Sequence, residues 1–145
     1  MRQALRDSVN EVLEKMFFAQ AMGECPDSDP PGNSPADEIA VALTFQGEPS
    51  GSLLLRLTAA AARQIAADFL GIEISEVSDL RTSEVVRELA NMICGSVLSR
   101  AESAATFQLD APRIVPPSED ITANLSNTRY CVQLAKGRLI VNVGT

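Results

Sequence analysis

A long amphipathic segment, residues 82–102, constrains the fold of this chain more than any other stretch. On a helix, which turns by about 100° per residue, its apolar side chains fall along one broad arc. These side chains are Val85, Val86, Leu89, Met92, Ile93 and Val97. The opposite side presents a polar stripe, because positions i, i+4, i+7 and i+11 lie within roughly 60° of one another. The polar stripe consists of Glu84, Glu88, Asn91 and Gly95.

Length and charge exclude several classes of protein. The chain has 145 residues, which predicts one domain spanning residues 1–145. Twelve Lys and Arg stand against nineteen Asp and Glu, giving a net charge of −7 with no basic cluster. A nucleic-acid partner or an anionic membrane surface is therefore not expected. No apolar run reaches the roughly 18 to 20 residues that span a bilayer, and no signal peptide is recognisable, so we expect a cytoplasmic protein.

The absence of histidine removes most familiar catalytic chemistry. The sequence contains no histidine, which excludes Ser-His-Asp triads, Cys-His pairs and histidine metal ligands. Its three cysteines, Cys25, Cys94 and Cys131, are widely spaced, so we expect reduced thiols and no zinc or other metal site. There is also no P-loop and no dinucleotide-binding glycine motif. An enzyme of this composition must use carboxylates, amides, hydroxyls or the chemistry of a partner.

The elements around the long helix predict an α+β fold. Residues 3–22 have the periodicity of an amphipathic helix, and residues 59–70 form a shorter, alanine-rich helical segment. Strand-like alternation appears in two hairpins, while residues 23–37 have the composition of a loop. The hairpins comprise residues 39–45 with 51–57, and 129–135 with 138–143. This order predicts two layers, with long helices on one face of a largely antiparallel sheet.

The first helix repeats part of the polar stripe. Asp7, Glu11 and Glu14 stand at i, i+4 and i+7, as Glu84, Glu88 and Asn91 do, but the last position is a glutamate instead of an asparagine. An internal duplication would produce this spacing. Three polar positions on a solvated face also recur by chance, and we favour that interpretation.

The core of the long helix, Glu-Val-Val-Arg-Glu-Leu-Ala-Asn-Met-Ile-Cys-Gly at residues 84–95, resembles the signature of the CheC/CheX/FliY chemotaxis phosphatases. That signature has an Asp or Ser, three residues, Glu, two residues and Asn, followed by an apolar pair and a small-Gly turn. Glu88 and Asn91 match its Glu and Asn, whereas Glu84 departs from the Asp or Ser. The first helix, the Gly-Ser-Leu-Leu-Leu strand and the closing hairpin are also similar to a single-module CheX-type protein. Because only the long helix carries Glu-x-x-Asn, the resemblance implies one active face per chain and a homodimer.

The resemblance implies a phosphatase that hydrolyses the phospho-aspartate of a CheY-type response regulator. Asn91 would orient the attacking water, since an amide both donates and accepts hydrogen bonds. Glu88 would dock the regulator by pairing with a lysine. Glu84 and Gly95 are weaker candidates for partner contact, with Gly95 allowing close approach. The Mg²⁺ would belong to the receiver domain of the partner, so no cofactor is expected in this chain.

Two other interpretations remain open. A polar stripe on an amphipathic helix is most often only a solvated face, and Glu84 also suits the first part of a helix for electrostatic reasons. The chain could also be a non-catalytic dimeric adaptor that binds a receiver domain without dephosphorylating it. The presence of both Glu88 and Asn91 favours the phosphatase.

Overall fold

The computed structural model of the chain describes residues 1–25, 38–101, 106–119, 122 and 125–145. The helices are α1 (Arg2–Met16), α2 (Ala59–Leu70) and α3 (Asp79–Ala101), with a 3₁₀ turn at Ile74–Glu76. The strands are β1 (Glu38–Gln46), β2 (Gly51–Thr58), β3 (Gln108–Leu109), β4 (Arg113–Val115), β5 (Asn127–Leu134) and β6 (Gly137–Gly144). Most of the loop predicted at residues 23–37, and the last residue of the helix predicted at 82–102, lie outside the described residues.

The strands of the described ranges form one antiparallel sheet of six strands. Its order is β3-β1-β2-β6-β5, and β4 pairs with β1. Two hairpins, β1–β2 and β5–β6, meet in the middle of the sheet where β2 pairs with β6. Both hairpins are those predicted from the alternation of the sequence.

Alternating side chains on the strands explain why the helices cover one face. Val41, Leu43 and Phe45 of β1 join the same apolar core as the helices, whereas the intervening Ala40 and Ala42 belong to a smaller buried cluster with Leu54 and Val115. Period-two alternation assigns such residues to opposite faces of a strand. The predicted α+β architecture of helices packed on an antiparallel sheet is confirmed.

The first helix is shorter than predicted. It ends at Met16, and Phe18 adopts a positive φ of 56°, which a continuing helix does not allow. Phe17 is fully buried and stacks on Phe69 of α2, with 4.7 Å between the ring centroids. The burial of Phe17 against the partly exposed Phe69 accounts for the turn. The chain then leaves the helix axis toward β5, where the Met22 amide donates to the Gln133 carbonyl.

The expectation of three reduced cysteines is wrong. Cys25 and Cys131 form a disulfide across 106 residues of sequence, and Cys94 is the free cysteine. The residues before Cys25 lie antiparallel to β5: the Cys25 amide donates to the Cys131 carbonyl at 3.0 Å, and the Gln133 amide donates to the Gly23 carbonyl at 2.8 Å. This pairing places the two sulfurs side by side, which wide spacing in the sequence does not reveal.

Burial of Cys94 predicts a specific loss of stability at alkaline pH. Desolvation raises the pKa of the Cys94 thiol from 9.0 to about 12. Between these two pH values the thiol therefore ionises in the unfolded chain and stays protonated in the folded one. The contribution of Cys94 to the free energy of unfolding is constant below about pH 9 and falls above it, by up to about 1.4 kcal/mol per pH unit. Urea unfolding at pH 8 and pH 10 should show a larger loss for the wild type than for Cys94→Ala. Equal losses in both proteins would contradict the assignment.

Candidate functional site

Burial of one face of α3 fixes the direction of the polar stripe. Leu89 and Ile93 are completely buried against the sheet and the other helices. Most of the predicted apolar arc is buried with them, although Met92 is only half-buried. A helix held along this face cannot rotate without exposing its core residues. The opposite side therefore faces outward, with Glu84 and Glu88 exposed and Asn91 half-buried.

α3 begins three residues before the predicted start. Asp79 is its first residue, and the preceding Ser78 lies where a helix cap is expected. The Ser78 hydroxyl accepts a hydrogen bond from the Arg81 amide at 3.1 Å. The Ser78 carbonyl accepts another hydrogen bond from the Thr82 hydroxyl at 2.9 Å. These bonds fix the first turn of α3, from which the polar stripe projects one turn later.

A groove of about 500 Å³ runs between α3 and the loop that connects β3 to β4. Three of the four residues of the polar stripe line it, so the structure brings Glu84, Glu88 and Asn91 together. Gly95 lies one turn further along α3 and does not line the groove. The full lining is Glu84, Arg87, Glu88, Asn91, Leu109, Asp110, Ala111 and Pro112.

The second wall of the groove is attached to the sheet. The Asp110 amide donates to the Thr44 carbonyl of β1 at 2.9 Å, and the Thr44 hydroxyl donates to the Asp110 carboxylate. Pro112 restricts the backbone of the same loop. A loop held in this way gives the groove a defined shape on the side opposite α3.

Glu88 and Asn91 are available for a partner. Within the described part of the chain, neither side chain forms a hydrogen bond or an ion pair. Glu84 differs, because its carboxylate lies 3.7 Å from the Arg81 guanidinium one turn earlier on the helix. Exposed pairs of this kind are weak, so Glu84 is restrained without being withdrawn from the surface.

The groove is acidic, with one cation at its edge. Glu84, Glu88 and Asp110 contribute three carboxylates, against the single guanidinium of Arg87. Such a lining attracts a cationic side chain of a partner. Neither Arg87 nor the loop residues were among the predicted site residues. The only signal for Arg87 was its place directly before Glu88, whereas the loop is more than fifteen residues away in sequence.

Gly95 has open space around its missing side chain. Apart from its chain neighbours and the adjacent backbone of α3, a Cβ built at this position would meet no atom of the described residues within 4 Å. Packing within the chain therefore does not require glycine here.

Two of the three acidic residues at this spacing on α1 form ion pairs. Glu11 pairs with Arg100 of α3 and lies 3.9 Å from Lys15, and Asp7 lies 3.5 Å from Arg6. Glu14 is exposed. These ion pairs favour the interpretation of Asp7, Glu11 and Glu14 as a structural and solvated face.

Neither a metal cluster nor a membrane span is found in the described ranges. No group of three or more His, Cys, Asp or Glu side chains there is arranged to hold a metal ion. No helix among the same residues is long and apolar enough to cross a bilayer.

Solved structures show the same fold. The chain is similar to the chemotaxis protein CheX from Vibrio vulnificus, with 18% identity, a TM-score of 0.77, and coverage of 98% of this chain and 93% of that one. The CheX–CheY–BeF3–Mg²⁺ complex from Borrelia burgdorferi matches with 17% identity and a TM-score of 0.73, covering 98% and 95%. A CheC-like superfamily protein from Shewanella sp. PV-4 matches with 16% identity and a TM-score of 0.74, covering 98% and 94%. Identities this low establish the shared fold alone.

The sequence itself identifies the family. A comparison with curated proteins gives no match. The model of the family described as chemotaxis phosphatase CheX matches residues 39–135, which is more than half of the chain and includes all of α3. The chain belongs to the chemotaxis phosphatase CheX family.

Proposed function

We propose that this chain is a phosphatase that hydrolyses the phospho-aspartate of a CheY-type response regulator. The observation that carries the proposal is the placement of Glu88 and Asn91, three residues apart on α3 in a chain of this family. Both side chains line the groove without a partner in the described residues. The Borrelia burgdorferi relative in complex with CheY, BeF3 and Mg²⁺ supports a receiver domain as the partner.

Asn91 orients the attacking water in this proposal. The water oxygen forms a bond to phosphorus, the bond between phosphorus and the aspartyl oxygen breaks, and the carboxylate leaves without needing a proton. The products are inorganic phosphate and the unmodified aspartate side chain of the receiver, and the proton of the water is released to phosphate or solvent. Because the aspartyl carboxylate is a good leaving group, positioning contributes more than a strong base does. The Asn91 carboxamide can accept a hydrogen bond from the water and donate one to the phosphoryl group.

Glu88 docks the regulator. Its free carboxylate lies on the acidic side of the groove, where a lysine of the receiver can pair with it through a charge-assisted hydrogen bond. Mg²⁺ and the phosphoryl group belong to the receiver, so this chain contributes no cofactor. Glu84, one turn before Glu88, extends the acidic surface that meets the same partner.

The proposal extends to assembly and location. We expect a homodimer, with one active face per chain, in the cytoplasm where receiver domains are phosphorylated. Sedimentation equilibrium should give twice the 15.5 kDa mass of the chain. A monomer mass at micromolar concentration would contradict the dimer without affecting the phosphatase.

Two substitutions at Gly95 should have different effects, one on stability and the other on receiver binding. Gly95→Ala is expected to stabilise the protein by about 1 kcal/mol, because alanine is the better helix former and its Cβ would lie in open space among the described residues. Gly95→Leu should weaken receiver binding by about 10-fold or more, because its side chain occupies the space of the partner. Thermal unfolding and receiver titration measure the two effects, with Ser99→Ala, one turn further along α3, as a control. Unchanged receiver affinity in Gly95→Leu would remove Gly95 from the interface.

A receiver domain labelled with a small phosphodonor separates the phosphatase from the adaptor. The phosphatase predicts that substoichiometric amounts of the chain accelerate loss of phosphate, and that Glu88→Ala weakens this effect mainly through KM. The adaptor predicts binding of the receiver with unchanged decay of the phospho-aspartate. Binding without acceleration would therefore select the adaptor.

A further inference from the structure

Arg87 is the cation that lines the groove, and one of its donors has no partner. Its Nε is buried and forms no hydrogen bond to any described residue. Leaving a buried donor of a charged group unpaired is unfavourable. The side chain as a whole is half-buried and lines the groove.

The position of Arg87 places it next to Asn91 along the groove. It lies four residues before Asn91, and side chains at this spacing are neighbours on a helix. It is also on the side of the polar stripe that faces the β3–β4 loop, because both line the same groove. Glu84, one turn earlier on the helix, lies beside Arg81. The Arg87 guanidinium is thus left without an ion pair in the described ranges.

The charge of the groove gives this cation a role. A phosphoryl group carries negative charge, and the carboxylates of Glu84, Glu88 and Asp110 repel it. Asn91 is neutral and does not offset that repulsion. A planar guanidinium matches the geometry of phosphoryl oxygens and binds them with two parallel hydrogen bonds.

We infer that Arg87 contacts the phosphoryl oxygens of the docked receiver and makes this chain select the phosphorylated receiver over the unphosphorylated one. The inference rests on the proposed function and adds the residue that recognises the anion. Glu88 binds both forms of the receiver, whereas Arg87 strengthens binding only when the phosphoryl group is present.

The test compares affinities for one receiver in two states. A CheY-type receiver domain whose dephosphorylation the wild-type chain accelerates is titrated free and with beryllofluoride and Mg²⁺, which stand in for the phosphoryl group. Arg87→Gln should lower the affinity for the loaded form by about 10-fold to 100-fold, as expected for lost charge-assisted hydrogen bonds, and leave the free form within about twofold. Arg87→Lys should retain part of the selectivity. Arg81→Gln, a cation on the same helix outside the groove, should leave the ratio unchanged.

Two results would overturn the role of Arg87. One is an unchanged affinity ratio in Arg87→Gln; the other is an equal loss for both receiver states, which indicates a structural role. Either result leaves the proposed function intact, because the wild type has already accelerated dephosphorylation of the receiver used. A wild-type chain that accelerates no receiver of a CheY-type panel contradicts the proposed function and this inference together.

Discussion

Asn91→Ala is expected to reduce the acceleration of receiver dephosphorylation by about 100-fold. In the proposed mechanism the substitution removes the carboxamide that orients the attacking water, and loss of one positioning or charge-stabilising group at a reacting centre has an effect of this size. The loss should appear in kcat, with affinity for the beryllofluoride-loaded receiver changed by no more than a few fold. Single-turnover release of phosphate and a receiver titration measure the two quantities.

The stability of Asn91→Ala should remain close to that of the wild type. Asn91 is half-buried and its side chain has no hydrogen bond to a described residue, so its removal leaves no unpaired group. Ser99→Ala, an exposed change on the same helix, is the matched control for activity. Wild-type activity in Asn91→Ala would remove the water-positioning mechanism, although not the family assignment.

Leu89→Ala should have the opposite profile, with a loss of about 2 to 5 kcal/mol in the free energy of unfolding. Leu89 lies between Glu88 and Asn91 in sequence but on the buried side of α3, where its exposure is 0%. Truncation of a fully buried leucine removes apolar contacts and leaves a cavity. Urea unfolding measures the change, and activity should decline only to the extent that the protein unfolds.

Leu80→Ala is the control for Leu89→Ala. Leu80 is also a leucine of α3, but 68% of it is exposed. Its replacement should change stability by less than about 0.5 kcal/mol. A loss below about 1 kcal/mol for Leu89→Ala would mean that α3 is not held by the face described here, and that the direction of the polar stripe has no structural basis.

Local patterns predicted the frame of the molecule. Period-two alternation in residues 39–45 and 138–143 identified strands of both hairpins, because each strand has to present apolar side chains to the helices. The helical period of residues 82–102 identified α3 in the same way. These features depend on neighbours a few residues apart, which a sequence displays directly.

Contacts between distant residues were not predictable. The end of α1 depends on the stacking of Phe17 on Phe69, which are 52 positions apart, and Cys25 meets Cys131 only because the chain before Cys25 lies along β5. Local periodicity contains no information about either pairing.

The candidate site also combines residues that are close in sequence, which were predictable, with residues that are distant, which were not. Glu88 and Asn91 were identified because they share one helix, and the family signature lies within twelve residues. The opposite wall, with Asp110 held on Thr44, comes from a different part of the chain. Arg87 could not be identified from the sequence, because the carboxylate-rich groove that it lines is completed by this distant wall.

The rate of phosphate loss from a phosphorylated CheY-type receiver, measured at increasing concentrations of this chain, tests the central claim most directly. We predict that the rate rises with the concentration of the chain, that each chain turns over many receivers, and that Asn91→Ala suppresses the rise. A decay rate that stays the same at every concentration, across a panel of receivers, would contradict the account.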